Sequence, residues 1–425
     1  MTRLRALIGR HRILVGVLAG GLVVRVLWLL VAHPDPVSDY WAYRRMGENI
    51  LDQGFIGVDG PSALILPGHP VLLAALMTVS RSALWLGIAM VTLSTAAALL
   101  VHKVALRLTG KEPVALVAAT VCAFSPAMVL YAPVLATEHL FVVLLLVAIL
   151  LTLSVGTGSP ARAVGAGAVA GLAVLTRGEM VFYLPVLIAL MWLGLRGLDP
   201  ISRVRPVALF VGATALVTAP WLIRNAEVID PGVGLSTASG MNFWFGHRPD
   251  GYGYTEDVPW PRGDDITANR VGWEVGLSHI RKEPISLLES TRDGTFRMLS
   301  WPEYALIAST QEALPGRPLE WNSRYVPFEN TISRILLGSS VLSLSLAAAA
   351  FLTWPAWRRR LRVLFGGLLL ATWVGHAVLQ FGHPRFRYSL DVLLTILVAL
   401  TLVDLWEHGR PEVSQAARTA EQGRP

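Results

Sequence analysis

"SDYWAYRRMGENI", residues 38–50, comes six residues after an apolar run that ends at Ala32, and it sets an acid, three aromatics and an arginine pair beside that run. Its meaning depends on whether the run crosses a membrane. The chain has 425 residues, 53% of them hydrophobic and only 15% charged. A soluble protein carries about 25% charged residues, so the composition points to the membrane. The stretch Ile13–Ala32 matches the roughly 20 residues a spanning helix needs. Arg3, Arg5, Arg10 and Arg12 precede it and no small-x-small cleavage site follows, so it reads as a retained first span.

The same length criterion places spans near 13–32, 83–101, 113–130, 138–155, 161–176, 180–195, 207–223, 332–354, 363–380 and 388–406. That gives about ten, with both ends of the chain on one side. Residues 64–79 are short and interrupted by Pro67 and Pro70, which suits an interfacial or re-entrant helix. The arginines and lysines support this topology. Arg3, Arg5, Arg10, Arg12, Lys103, Arg107, Lys111, Arg162, Arg196, Arg203, Arg205, Arg358, Arg359, Arg360, Arg362, Arg410, Arg418 and Arg424 fall on the side of the termini. The opposite short loops hold only Arg44, Arg45, Arg81, Arg177, Arg385 and Arg387. The asymmetry predicts cytoplasmic termini. It also accounts for the net charge of +7 without a nucleic-acid surface. The single cysteine, Cys122, excludes a disulfide framework within the chain.

The resulting plan is a transmembrane module at 1–223 with its first outer loop at 33–82, and a large extracytoplasmic loop at 224–331. C-terminal spans at 332–406 and a polar tail at 407–425, read as disordered, complete it. The large loop holds amphipathic candidate helices at 267–282 and 285–299.

Ionisable residues are costly at membrane depth, so they tend to face a cavity or one another. Arg25, Glu138, Arg177, Glu179, Arg224, Arg385 and Arg387 all fall at the outer side of their segments. Singly, each has an ordinary reading. Arg25 can snorkel, Glu138 can complement a helix N-terminus, and Arg385 and Arg387 can anchor at the interface beside Tyr388. Together, arginines on the face that should be poor in them suit a phosphate at headgroup level, which guanidinium binds bidentately. Asp39 then has two readings that stay open: helix starter with Ser38, or general base at the membrane rim, with Asp35 one turn earlier able to take the same part. Tyr43 lies one turn on, on the same face.

These segments resemble the GT-C glycosyltransferases, specifically the family 39-like bacterial enzymes related to protein O-mannosyltransferases and the lipid A aminoarabinose transferase. "SDYWAYRRMGENILDQG" (38–54) is similar to the family's acidic first-loop motif, and "LPGHPVLLAAL" (66–76) to its juxtamembrane segment. "LATEHLFVVLLL" (135–146) and "LTRGEMVFYLP" (175–185) resemble the segments that carry its span-leading Glu and its donor-side Arg. "APWLIRN" (219–225), "STASGMNFWFGHRPDGYG" (236–253) and "HPRFRYSL" (383–390) complete the series. The resemblance implies an all-α polytopic membrane protein of GT-C fold, with juxtamembrane helices in its first outer loop. It implies Asp39 as the catalytic base, alone or with Asp35 or Glu138 assisting. It also places Tyr43, Arg177, Arg224, Asn225, Gly240, Asn242, Arg385, Arg387 and Tyr388 around the substrates. The chain departs from the pattern at Ser38, where many relatives carry a second acid, and at Gly178, where proline is usual.

The implied activity is inverting transfer of a sugar from a polyprenyl-phosphate donor to an acceptor outside the bacterial plasma membrane. The acceptor would be a glycan, a glycolipid or a protein hydroxyl. A transporter of lipid-linked sugars is the competing class. Metal use varies among relatives. No dense ligand set is evident, so metal-free action is expected, although Asp39, Glu138 and His69 or His383 could meet around a divalent cation.

Overall fold

The computed structural model describes residues 2–155, 159–249, 251, 264–300, 302–312, 320–321, 326–353 and 359–408. The chain begins with α1 (Thr2–Ala32), which ends at His33 and Pro34. Two short helices follow, α2 (Asp39–Asp52) and α3 (Gly68–Met77). Ten residues rise only about 15 Å, so α3 cannot cross a bilayer, as expected for the 64–79 stretch. Next come α4 (Ala83–Thr109), α5 (Glu112–Phe124), α6 (Pro126–Tyr131), α7 (Thr137–Ser154), α8 (Pro160–Thr176), α9 (Met180–Gly194) and α10 (Pro200–Val228). The large loop contributes α11 (Ala238–His247), α12 (Asp265–Lys282), α13 (Ile285–Leu299) and α14 (Glu303–Thr310). It also holds a minimal antiparallel pair, β1 (Gln311–Glu312) with β2 (Glu320–Trp321). The chain closes with α15 (Val326–Thr353), α16 (Arg359–Thr372), a π-helix (Trp373–Val378), a 3-10 turn (Pro384–Arg387) and α17 (Tyr388–His408).

Among the described residues seven helical stretches are long and apolar enough to cross a membrane: Arg12–Ala32, Ala83–Thr109, Thr137–Ser154, Pro200–Val228, Asn330–Thr353, Arg359–Val378 and Pro384–His408. They coincide with seven of the ten expected spans. The other three are shorter: 113–130 is α5 and α6 broken at Ser125, and 161–176 and 180–195 are α8 and α9. The protein is a multi-pass, all-α membrane protein. The two amphipathic candidates in the large loop are α12 and α13. Trp301 and the tail from residue 409 lie outside the described residues, while α17 continues through Glu407, which accepts a hydrogen bond from Lys111 Nζ at 2.9 Å.

Small residues set the tightest crossings, as is usual where lipid offers no hydrophobic drive to association. On α8, a Cβ at Gly167 would lie 2.1 Å from the carbonyl oxygen of Phe210 on α10. Thr214 of α10 donates to the Gly167 carbonyl at 3.0 Å in the same crossing. Helix α17 is the most enclosed span and packs on α4, α5, α7 and α15.

Arg25 does not snorkel: it is fully buried. Pro126 carries no N–H, so the carbonyl of Cys122, four residues earlier, loses its helical donor. Arg25 Nη2 supplies one at 3.0 Å, Nη1 reaches the carbonyls of Ala123 and Gly21, and Nε donates to Ser94 Oγ at 3.1 Å. The break between α5 and α6 is thereby fastened to α1 and α4.

Candidate active site

Helix α2 begins where Ser38 adopts φ 49°, a region that non-glycine residues avoid. The Ser38 side chain makes no capping hydrogen bond, so the ordinary capping role is not realised. Asp39, in the first turn, turns instead to Arg385: Nη1 donates to Asp39 Oδ2 at 2.8 Å. The Asp39 side chain keeps 55% of its exposure, leaving its carboxylate accessible.

Arg385 is brought to this point by the 3-10 turn, with His383 Nδ1 accepting from its backbone N–H at 3.1 Å. Its Nε donates to Glu138 Oε1 at 2.5 Å and its Nη2 reaches the Tyr43 hydroxyl at 3.4 Å. The guanidinium also lies over the Tyr40 ring, 5.1 Å from the centroid, a favourable cation–π arrangement. Glu138, in the first turn of α7, is almost wholly buried, its side chain 2% exposed. It is shared with Arg177, whose Nη1 lies 2.7 Å from the same Oε1. Arg177 follows the last residue of α8, donates to Thr137 Oγ1 at 2.9 Å and reaches Glu179 Oε2 through Nη2 at 3.2 Å.

Asp39, Tyr43, Glu138, Arg177 and Arg385 are thus joined directly. They come from four places in the sequence, and α2, α7, the α8–α9 turn and the turn before α17 bring them to one end of the bundle. Burial, with the Asp39 charge after it, pushes the Tyr43 phenol well above its ordinary range, so it stays a neutral hydroxyl. Asp39 and Glu138 meet through Arg385. Among the described residues no group of three or more His, Cys, Asp or Glu is arranged to hold a metal ion. Asp35 is exposed, and no hydrogen bond or ion pair joins it to the cluster.

The remaining expected residues have other surroundings. Arg224 donates to the carbonyls of Ser62 and Ile56 at 3.0 and 3.2 Å and stacks over Trp221. Asn225 donates to the Gly234 carbonyl at 2.9 Å. Both fasten the first loop and the start of the large loop to α10. Gly240 lies where α11 crosses α12: its N–H donates to Asn269 Oδ1, and a Cβ there would come within 1.9 Å of the Asn269 carbonyl oxygen. Gly240→Ala is therefore expected to weaken the fold by about 1–3 kcal/mol, the usual penalty of overpacking, read as a lowered midpoint of thermal unfolding in detergent. Asn242 is half-buried on α11. Arg387 pairs with Asp391 at 2.8 Å and donates to the Met298 carbonyl and Ser340 Oγ, tying α13 and α15 to α17. Tyr388 packs in an aromatic group with Tyr131 and His139.

Sequence reading did not assign Tyr40, Thr137, Glu179, Ser389 or His376. Glu179 is buried and accepts from His376 Nε2 at 3.1 Å and from Ser389 Oγ at 3.0 Å. Burial opposes its charge, but Arg177 and then His376 outweigh it and hold the carboxyl below its ordinary range. The available signal was a histidine inside "WVGHAVLQ" (373–380), an ionisable group in an otherwise apolar run.

His69, fully buried on α3, packs edge-on against Tyr43 and bonds through Nε2 to the Leu135 carbonyl at 3.1 Å. Burial lowers its pKa from 6.5 to about 4. The unfolded chain takes up a proton below pH 6.5 that the folded chain refuses until about pH 4. Stability is expected to fall as the pH drops through that window, by up to about 3 kcal/mol on this account. Replacing His69 by Gln should reduce the dependence without abolishing it, because burial also holds His383 down to about 4; an unchanged slope would remove His69 as a contributor.

No protein-family model matches the chain, and no curated protein matches it. Among solved structures it is similar to the Archaeoglobus fulgidus oligosaccharyltransferase, determined with a disulfide-tethered acceptor peptide containing the NVT sequon. The TM-score is 0.51 at 12% identity, over 93% of this chain and 50% of that one. The chain thus spans half the length of that protein. ArnT from Cupriavidus metallidurans aligns over 91% of this chain and 76% of that one. Its undecaprenyl phosphate complex gives a TM-score of 0.46 at 17% identity, and its apo form 0.42 at 18%. At such identities the oligosaccharyltransferase likeness is one of architecture, and that architecture is the GT-C fold.

Proposed function

We propose that this protein is an integral-membrane glycosyltransferase of the bacterial plasma membrane, transferring a sugar from a polyprenyl-phosphate-linked donor to an acceptor on the extracytoplasmic side. The acceptor is a glycan, a glycolipid or a protein hydroxyl. The observation that carries this reading is the accessible Asp39 carboxylate bonded to Arg385, above the buried Glu138–Arg177 pair, at one end of an apolar helix bundle. The arginine asymmetry of the loops supports assigning that end to the outside and the termini to the cytoplasm.

In the proposed reaction Asp39 accepts the proton of the acceptor hydroxyl as its oxygen bonds to the anomeric carbon. The bond from that carbon to the donor phosphate breaks, its electrons pass to the phosphate oxygen, and attack from the opposite face inverts the centre. Arg177 grips that phosphate in the ground state and the transition state alike, and Arg385 stabilises the charge that develops on it as it departs. Among the described residues Arg385 commits three of its five N–H groups to Glu138, Asp39 and Tyr43, so donors on its terminal nitrogens can meet phosphate oxygens. The neutral Tyr43 hydroxyl offers a further hydrogen bond beside them.

Reconstitution in nanodiscs with a panel of radiolabelled polyprenyl-phosphate hexoses and pentoses, mannose and arabinose included, tests the proposal. Sugar transfer with release of polyprenyl phosphate is expected for one donor class, and no release from any of them would count against it. The transporter reading needs charged groups along the whole bundle, whereas the linked carboxylates and guanidiniums gather at one end.

A further inference from the structure

The cluster around Asp39 does not end at Arg177. Beyond it, ionisable side chains touch in sequence: Asp39 to Arg385 at 2.8 Å, Arg385 to Glu138 at 2.5 Å and Glu138 to Arg177 at 2.7 Å. Arg177 meets Glu179 at 3.2 Å and Glu179 meets His376 at 3.1 Å. Acid and base alternate along the whole row. An ionised carboxylate only accepts, so His376 Nε2 is the donor to Glu179.

The far end of this row is built with care. His376 lies in the π-helix, whose extra residue per turn re-aims the side chains that follow the end of α16. Gly375 makes room beside it: a Cβ there would stand 2.9 Å from the Phe182 ring. The imidazole stacks on Phe386 of the 3-10 turn, with centroids 4.5 Å apart, and Nδ1 is paired with the Gln380 side chain at 3.0 Å. Ser389 of α17 donates to the other Glu179 oxygen. Glu179 is therefore fixed from α17 and from the π-helix, and its remaining partner is Arg177.

We propose that Glu179 and His376 are positioning residues for the donor phosphate, fixing Arg177 in the orientation that lets it share Glu138 with Arg385. The proposal rests on the glycosyltransferase reading for what Arg177 binds, but not for how Arg177 is held. Without Glu179, the guanidinium keeps Glu138 and Thr137 on one nitrogen and swings about them; without His376, Glu179 loses the donor that sets its rotamer. Arg177 then meets the phosphate in a spread of orientations, so donor affinity falls more than turnover at saturation.

The test uses the full chain in nanodiscs, as wild type, Glu179→Gln, Glu179→Asp and His376→Gln. Arginine labelling by phenylglyoxal, mapped by peptide mass spectrometry, reads how firmly Arg177 is held and needs no substrate. Labelling of Arg177 is expected to rise several-fold in Glu179→Gln and His376→Gln, while the exposed Arg292 reacts as before. Both variants should also bind polyprenyl phosphate about tenfold more weakly and raise the donor KM to match, the equivalent of losing one charge-assisted contact. Their kcat should change less than about threefold on the same argument, and Glu179→Asp should restore most of the affinity. Unchanged Arg177 labelling overturns the proposal. So does increased labelling with an unchanged donor KM, or a fall in kcat alone. Should wild type neither bind polyprenyl phosphate nor transfer sugar, the glycosyltransferase reading fails by itself, and the labelling still decides whether Glu179 and His376 hold Arg177.

Discussion

Asp39→Asn is expected to lower sugar transfer by about 10²- to 10⁴-fold while leaving the protein folded, the range over which a positioned general base contributes. The amide keeps the size of the side chain and can still accept from Arg385, but it cannot take the acceptor proton. The fold should scarcely notice, because the Asp39 side chain is more than half exposed and surface pairs contribute only about 0–1 kcal/mol. The measurement pairs an initial-rate assay with thermal unfolding in the same detergent. Near-wild-type turnover with an unchanged unfolding midpoint would remove Asp39 from the chemistry. Asp35→Asn is the internal comparison: Asp35 is exposed and outside the linked cluster, so its loss should change turnover less than about threefold, as for an ordinary surface substitution.

Much of this arrangement was legible from the sequence, for identifiable reasons. Spans show because hydrocarbon demands long apolar runs, and seven of the expected ones are continuous helices. The short helices α5, α8 and α9 blurred the count, since burial between neighbours lets a helix be shorter than the bilayer. The link between Asp39 and Arg385 spans 346 residues and leaves no local trace; only the shared side of the membrane hinted at it. Arg25 shows the limit of local reading. Its composition allowed snorkelling, whereas its burial follows from Pro126, about a hundred residues away, which strips a carbonyl of its donor. Arg224 and Asn225 sit in a distinctive motif, yet their partners are backbone carbonyls of the loops they fasten. A conspicuous motif marks a constrained position, and only the partners reveal whether the constraint is architectural or chemical. His376 escaped because a single histidine in an apolar run gives no hint of a π-turn or of the glutamate it meets.

Glu138→Gln should behave in the opposite way to Asp39→Asn, unfolding the protein more readily as well as inactivating it. Glu138 is buried between two guanidiniums, with Arg177 at 2.7 Å and Arg385 at 2.5 Å on the same oxygen. Neutralising it leaves two like charges facing each other at a site sheltered from water, with only a neutral carbonyl oxygen to accept from both. Removing one partner of a buried pair costs about 3–5 kcal/mol, because the remaining charge stays desolvated without compensation. Here each arginine keeps a second carboxylate, Glu179 for Arg177 and Asp39 for Arg385, so the lower part of that range is expected, read from denaturant or thermal unfolding in detergent. Glu138→Asp keeps the charge but sits one methylene short, and should recover stability before it recovers activity, since the arginines would relax toward it and away from the phosphate. Paired unfolding and turnover measurements on the two variants separate the roles. A Glu138→Gln protein as stable as wild type would mean that Arg177 and Arg385 are held by Glu179 and Asp39 alone.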